Sequence, residues 1–316
     1  MTRACCLALS LAALAATLTP ALAQTGPYKL LSTTKLGGDG GWDYLAADAP
    51  TRQLFIARSG PSGNLRVYNL DTLVPIGEVP TGTAHGAAID DTTHHGFATS
   101  NPVTMFDTQT LKVIKTIDTG GKPDGYLADP AAHRVYILSH AEPNVIALDT
   151  RDGSILGTLN LGGEPEQSVL DGHGHLFLDV EDKDRIAVVD AASLKLTGNY
   201  DISSVSGGCA GLAIDTAHGI LFAACRDKNN MVILRAADGK ILSTLPIGVG
   251  CDGALFNPAT QEVYSTQGDG TLTFDPATGH IFTATADFGP APAAQPGQRS
   301  RPPMIPGTFT LLTIGK

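Results

Sequence analysis

The sequence predicts an all-β chain, a β-propeller of four-stranded blades, and three observations carry that expectation. A marker residue recurs at Asp48, Asp90, Asp129, Asp171, Asp215, Asn257 and Asp275, at spacings of 42, 39, 42, 44, 42 and then 18. Seven residues after most markers stands an aromatic: Phe55, Phe97, Tyr136, Phe222, Tyr264 and Phe282, with Phe177 one residue early. Between markers the apolar residues fall into short runs broken by Gly, Pro and Asp, and no stretch keeps the 3.6-residue period of a long helix. A unit of about 40 to 45 residues holding four strands is the mark of a propeller blade. One such sheet cannot bury both faces alone, so the blades must pack side by side around a ring.

Residues 1–23 read as an export leader. Arg3 precedes an apolar run over 7–18, then Pro20, then Ala21-Leu22-Ala23 before Gln24. The run is too short to span a membrane. Residues 24–316 are then one propeller domain, periplasmic or secreted. Cys5 and Cys6 leave with the leader, and no Cys stands at the cleavage point, so no lipid anchor is expected.

A strand over 28–36 leads through a Gly turn at 37–41 into blades over 42–82, 83–121, 122–163, 164–206 and 207–249. A sixth starts at Asp252. Residues 289–306 are Pro-rich and strand-free, an extended surface loop, and 308–314 form a last strand. The spacing of 18 means that about half a blade is missing near 273–275. Two assignments are open. Residues 271–286 are a truncated seventh blade, or they complete blade six as its third and fourth strands. The second is preferred; it leaves six full blades and a remnant closed by the N- and C-terminal strands. Either way the ring is weakest there.

The formal charge is −10, and −11 once Arg3 leaves with the leader. That balance repels phosphate backbones and anionic lipids at long range. There is no Lys/Arg run, and aromatic residues are 6% of the chain with one Trp. Single-stranded nucleic acid would need aromatic platforms beside a basic groove.

The blades resemble the YVTN-type repeats of the YncE-like bacterial β-propellers, over nearly the whole mature chain. The resemblance is carried by Gly41-Trp42-Asp43-Tyr44, His85-Gly86, Pro123-Asp124, Pro165-Glu166, Glu181-Asp182-Lys183, Gly211-Leu212-Ala213-Ile214-Asp215, Gly270-Thr271-Leu272-Thr273 and Pro306-Gly307-Thr308-Phe309. It implies an exported propeller of seven-bladed type. It implies no particular reaction, and single-stranded DNA binding has been proposed for some members.

Five residues before each marker stand Asp43, His85, Asp124, Glu166, Ala210 and Asp252, and at the shortened repeat Gly270. These positions start the innermost strands and crowd around one mouth of the central channel. Four carboxylates and a His there suit a divalent cation, with the His widening the choice to Zn²⁺ or Mn²⁺. They equally suit a ligand held without metal, or turn-capping of the strand starts. Trp42 either stacks on a ligand at that mouth or packs. His140 closes a second strand and could face the same rim as Glu181. Residues 181–184 are a charged turn. His94, His95, His133, His175, His218 and His280 follow the markers and read as surface decoration.

Cys209 and Cys225 are equidistant from Ala217 at the centre of their turn, so they face each other across a hairpin. A non-hydrogen-bonded pair there is within bonding reach, and export makes oxidation plausible. Cys251, at the register of Cys209, competes or stays free. No Gly-x-Ser-x-Gly, phosphate loop, His-Glu-x-x-His or Cys-x-x-Cys-His occurs. The sequence therefore favours a binding protein over an enzyme, with ligand or cation at the channel mouth. A metal-dependent lactonase or related hydrolase is the alternative, and a single-stranded DNA-binding propeller is the third.

Overall fold

The computed structural model describes residues 28–60, 63–268, 270–291 and 302–316. The expected leader, 1–23, and most of the Pro-rich stretch lie outside them. Strand β1 (Lys29–Lys35) precedes five complete blades. Blade 1 is β2–β5 (Trp42–Asp48, Gln53–Arg58, Leu65–Asn69, Pro75–Val79), and blade 2 is β6–β9 (Ala84–Asp90, His95–Ser100, Val103–Asp107, Val113–Ile117). Blade 3 is β10–β13 (Pro123–Asp129, Arg134–Ser139, Val145–Asp149, Ile155–Leu159), and blade 4 is β14–β17 (Pro165–Leu170, His175–Val180, Arg185–Asp190, Lys195–Asp201). Blade 5 is β18–β21 (Cys209–Asp215, Ile220–Cys225, Asn230–Arg235, Ile241–Pro246). A two-stranded sheet follows, β22 (Ala254–Asn257) and β23 (Glu262–Ser265). The ring closes with β24 (Leu272–Asp275), β25 (His280–Thr285), β26 (Thr310–Gly315) and, outermost, β1.

The protein is thus an all-β propeller of six four-stranded blades with one two-stranded remnant among the described residues. The remnant is not the one the preferred sequence assignment named. Residues 272–275 and 280–285 do not complete the sheet begun by β22. They are the first two strands of the closing blade, because β25 pairs with β26 and β26 with β1. The terminal strands therefore finish a full blade, and the missing half lies after β23.

The marker residues have a physical role. Each accepts backbone N–H bonds from the turn that follows it, the Asx-turn geometry that Asp and Asn favour. Asp90 Oδ1 accepts from the Thr92 amide at 2.9 Å, Asp215 Oδ1 from Ala217 at 3.1 Å, Asn257 Oδ1 from Ala259 at 3.0 Å, and Asp275 Oδ1 from Ala277 at 3.0 Å. The turn then needs a left-handed residue. It is His94 in blade 2 and His133 in blade 3, at φ 59° and 51°, and Gly219 in blade 5.

Neighbouring blades share apolar cores. Phe55, Val67 and Phe106 join blades 1 and 2, and Phe97, Ile137 and Ile146 join blades 2 and 3. Tyr136, Leu178 and Val189 join blades 3 and 4, while Phe177, Leu212 and Val232 join 4 and 5. Burying one such side chain contributes about 1.5–3 kcal/mol. At the core between blade 5 and the remnant only Ala213, Ala224, Ala254, Met231 and Cys251 are fully buried, with Phe222, Ile233, Ile247, Phe256 and Val263 half-buried against them. Its large side chains are thus less completely removed from water, so this seam is held more weakly.

Cys209 and Cys225, opposite one another on β18 and β19, are joined by a disulfide. Cys251 is a buried thiol whose pKa burial pushes up to about 11. Closure at the opposite end from the strand starts uses a fork. Arg52 of blade 1 gives Nη1 to Asp275 Oδ1 at 3.0 Å and Nη2 to Oδ2 at 2.8 Å, and Asp275 is buried. Arg52→Ala would leave that carboxylate with only its Thr278 and Ala277 donors. The expected loss in urea unfolding is about 1–3 kcal/mol, with Arg52→Lys recovering only part, since an ammonium lacks the planar fork. Equal stability of the three proteins would show that the fork contributes nothing to closure.

Candidate functional site

The innermost strands of blades 1 to 5 each start with a break in register. It falls between Trp42 and Leu45, Ala84 and Ala87, Pro123 and Tyr126, Pro165 and Ser168, and Cys209 and Gly211. Such bulges re-aim side chains, and the residues inside them include Asp43, His85, Asp124 and Glu166. A second position converges on the same rim. Four residues after the blade aromatic, the chain leaves the second strand and its amide bonds a carbonyl two residues before the innermost-strand position. The bonds are Ser59 to Gly41 at 3.1 Å, His140 to Lys122 at 3.1 Å, Glu181 to Glu164 at 2.9 Å and Arg226 to Gly208 at 3.0 Å. That bond sets His140, Glu181 and Arg226 beside the strand starts.

The result is a continuous polar arc. Asp43 Oδ2 lies 2.7 Å from His85 Nδ1, and Asp124 Oδ1 lies 3.4 Å from the same nitrogen. Asp124 Oδ2 is 3.4 Å from His140 Nδ1, and Glu166 Oε2 is 2.8 Å from His140 Nε2. Asp43, His85 and Asp124 offer three converging ligand atoms, and Asp124, His140 and Glu166 offer three more, with Asp124 common to both sets. Asp252 belongs to a different arrangement. It pairs with Arg226 Nη2, while Arg226 Nη1 holds Glu181 Oε1 at 2.7 Å and Nε donates to the Cys251 carbonyl at 2.7 Å.

Close approach at the mouth depends on glycine. A Cβ on Gly125 would fall 2.2 Å from the Glu166 carbonyl oxygen, and one on Gly86 would fall 2.2 Å from the Tyr126 ring. Blade 1 carries Tyr44 at the equivalent place. Its ring meets Tyr126 edge-on at 5.5 Å, and its hydroxyl donates to Glu166 Oε1 at 3.1 Å, reaching from blade 1 to blade 4. Gln167 likewise leaves its own blade, and its Oε1 accepts from the Leu212 amide at 2.9 Å and the Ala254 amide at 3.1 Å. Beyond Tyr44 the channel is a cavity of about 440 Å³ walled mainly by small and apolar residues, Ala46, Ala88, Ala128 and Ala213 among them.

Burial and neighbours shift the titrations. Burial, and then the charge of Glu166, raise the Asp124 carboxyl to about 7. The hydrogen bond to Glu166 raises His140 to about 9, and the bond to Asp43 raises His85 above its ordinary value. Burial pushes the Glu181 carboxyl up, with Arg226 opposing it.

Trp42 does not line this cavity. It packs on Phe309 at 5.0 Å and Phe288 at 6.2 Å, beside the remnant. Ala210 and Gly270 contribute no ionisable group. The sequence placed His140 only as a residue that could face the rim with Glu181, read Glu181 chiefly as part of a charged turn, and gave Tyr44 and Arg226 no role at the mouth. The distance of four residues from the blade aromatic was the signal that would have found His140, Glu181 and Arg226 together. Elsewhere, His175 and His218 bond the markers Asp171 and Asp215 at 2.6 and 2.7 Å, so these two brace their turns. No protein-family model matches the chain, and no curated protein is recognisably similar to it.

The two titrations act on stability in one direction. The folded His140 pKa, about 9, lies above the ordinary 6.5, so its contribution is full below 6.5 and lost as pH rises through about 9. The folded Asp124 pKa, about 7, lies above the ordinary 3.8, so stability also falls as pH rises from 3.8 towards about 7. Glu166→Gln removes the carboxylate that holds the His140 proton, and the His140 ring titration followed by NMR should drop from about 9 towards 6.5. Asp124→Asn should flatten the acid half of the midpoint-against-pH curve relative to wild type. An unmoved His140 titration would show that Glu166 does not set it.

Proposed function

We propose that the protein is an exported binding propeller that takes a divalent cation of the Zn²⁺ or Mn²⁺ class at the channel mouth. The observation that carries this reading is the shared carboxylate of Asp124, with one oxygen 3.4 Å from His85 and the other 3.4 Å from His140. Two ligands about 2.0–2.2 Å from one tetrahedral ion stand roughly 3.4 Å apart, so both Asp124–His pairs have the separation of co-ligands. Imidazole nitrogen with carboxylate oxygen is a donor set for Zn²⁺ and Mn²⁺ more than for Ca²⁺, which prefers oxygen alone. Asp43 and Glu166 would complete the sets on either side. The Asp43–His85 contact at 2.7 Å would have to open slightly to admit an ion.

Export rests on the leader read in residues 1–23 and agrees with a Cys209–Cys225 disulfide, since such bonds persist in oxidising compartments. The YVTN-type repeat resemblance points the same way.

Thermal unfolding of residues 24–316 in EDTA, then in Zn²⁺, Mn²⁺ or Ca²⁺, tests the reading. Ligand at a hundredfold excess over Kd adds about 2.7 kcal/mol to a native state that alone binds it. The midpoint should rise with Zn²⁺ or Mn²⁺, lose that rise in Asp43→Asn/Asp124→Asn, and keep it in Asp252→Asn, whose carboxylate pairs with Arg226. No rise with any ion would leave the arc a set of internal ion pairs.

A further inference from the structure

The missing half-blade leaves an open strand edge. In blades 1 to 4 the second strand buries every residue after the first (β3, β7, β11 and β15); β19 of blade 5 buries four of six and β25 of the closing blade two of six. No residue of β23 is fully buried. It pairs with β22 on one side, and among the described residues no strand pairs with it on the other. Beside it lies a cavity of about 440 Å³, lined by Tyr264, Trp42, Phe288, Ile281, Leu312 and Ile314. A second cavity, of about 580 Å³, shares Trp42, Gly268 and Phe288 with it. Two large apolar side chains stand exposed at this seam: Phe288, 49% exposed, and Val249, 75% exposed, whose carbonyl accepts from the Gly268 amide.

The fold itself shows what belongs there. In blades 1 to 5 the third strand is five or six residues long and runs antiparallel to the second. Opposite the blade aromatic it always places an apolar residue: Val67, Met105, Ala147, Val188 or Ile233. In the remnant the aromatic is Tyr264, and among the described residues no third-strand residue stands across from it; the Tyr28 ring meets it edge-on at 5.4 Å. The direction of the amides follows from the same register. Arg58 and Ser139, three residues after their blade aromatics, donate to Asn64 and Asn144 on the third-strand side. By the alternation of an antiparallel strand, the Val263 and Ser265 amides face the open edge of β23.

We propose that this seam is a docking groove for one extended peptide segment of a partner, apolar at alternate positions, added antiparallel to β23 as its missing third strand. Main-chain bonds to the Val263 and Ser265 amides would give affinity, and the pocket walled by Leu312 and Ile281 would select the apolar side chains. The occupant is a slim tail or linker rather than a sheet edge of a second copy. The edge of β23 is recessed behind its neighbours by two strand spacings, roughly 10 Å. A globular partner would strike the outer strands of blade 5 and of the closing blade before reaching it. The inference is independent of the cation reading.

The probe is a fluorescein-labelled peptide of residues 142–152, which carries the protein's own third strand from blade 3. It is titrated into protein of residues 24–316 and followed by fluorescence anisotropy. Saturable binding is expected, weakened at least tenfold by Ser265→Pro, which deletes an edge amide where proline is tolerated. Leu312→Asn, which spoils the wall without touching the backbone, should weaken it similarly. Hydrogen exchange should show the Val263 and Ser265 amides slowed by the peptide. Absence of binding, or binding that neither substitution weakens, would overturn the proposal. So would a concentration-dependent dimer that Ser265→Pro abolishes, because the occupant would then be a second copy.

Discussion

A sheet apolar on both faces is stable only with a neighbour on each side, and every other feature follows from that constraint. The innermost strands pack in the circle β2, β6, β10, β14, β18, β22, β24 and back to β2. Each blade core is therefore shared, and no blade is an independent folding unit. Closure needs the two chain ends together: β1 contributes the outermost strand of the last blade, and β26 separates it from β25. Buried Asp275, forked by Arg52, adds a charged link across the same joint. The cost of a shared core is that one weak interface concerns the whole ring. The incompletely buried packing between blade 5 and the remnant is that interface.

The blade architecture was legible because its signal is local. The markers are Asx caps, and a cap must sit at a fixed distance from the hairpin it closes. The aromatics are core residues on the second strand, so they keep the same register. The identity of the remnant was not legible, because residues 271–286 read as first and second strands or, by slight preference, as third and fourth. Only pairing with β26, and through it with β1 more than two hundred residues earlier, separates the two. A pattern within forty residues cannot carry that information.

The site divides in the same way. Asp43, His85, Asp124 and Glu166 recur at one offset from the markers, and the bulge repeated at each innermost strand start turns that offset into a common location. His140, Glu181 and Arg226 lie on the opposite side of a hairpin, where the repeat also carries Ser59 and Asn101, so no single residue type announces the position. Tyr44 reaches Glu166 across 122 residues of sequence. Its role follows from ring geometry rather than from its own blade. Trp42, left by the sequence either to stack on a ligand or to pack, packs on Phe309 and Phe288 beside the remnant.

The mouth is asymmetric in charge, and that asymmetry decides what it attracts. On one side Arg226 sits between Glu181 and Asp252 and cancels most of their field at close range. On the other, Asp43, Asp124 and Glu166 lie against the imidazoles of His85 and His140, whose charge depends on bound protons, and Glu166 also accepts from the Tyr44 hydroxyl. A fixed guanidinium cannot leave its partners, whereas a proton on His85 or His140 can be exchanged for another cation. The exchangeable half of the rim is the half where both nitrogens lie near Asp124. Below it, Tyr44 and Tyr126 stand over the channel cavity, whose wall of small residues such as Ala46, Ala88 and Ala213 also includes Glu166 and Gln167.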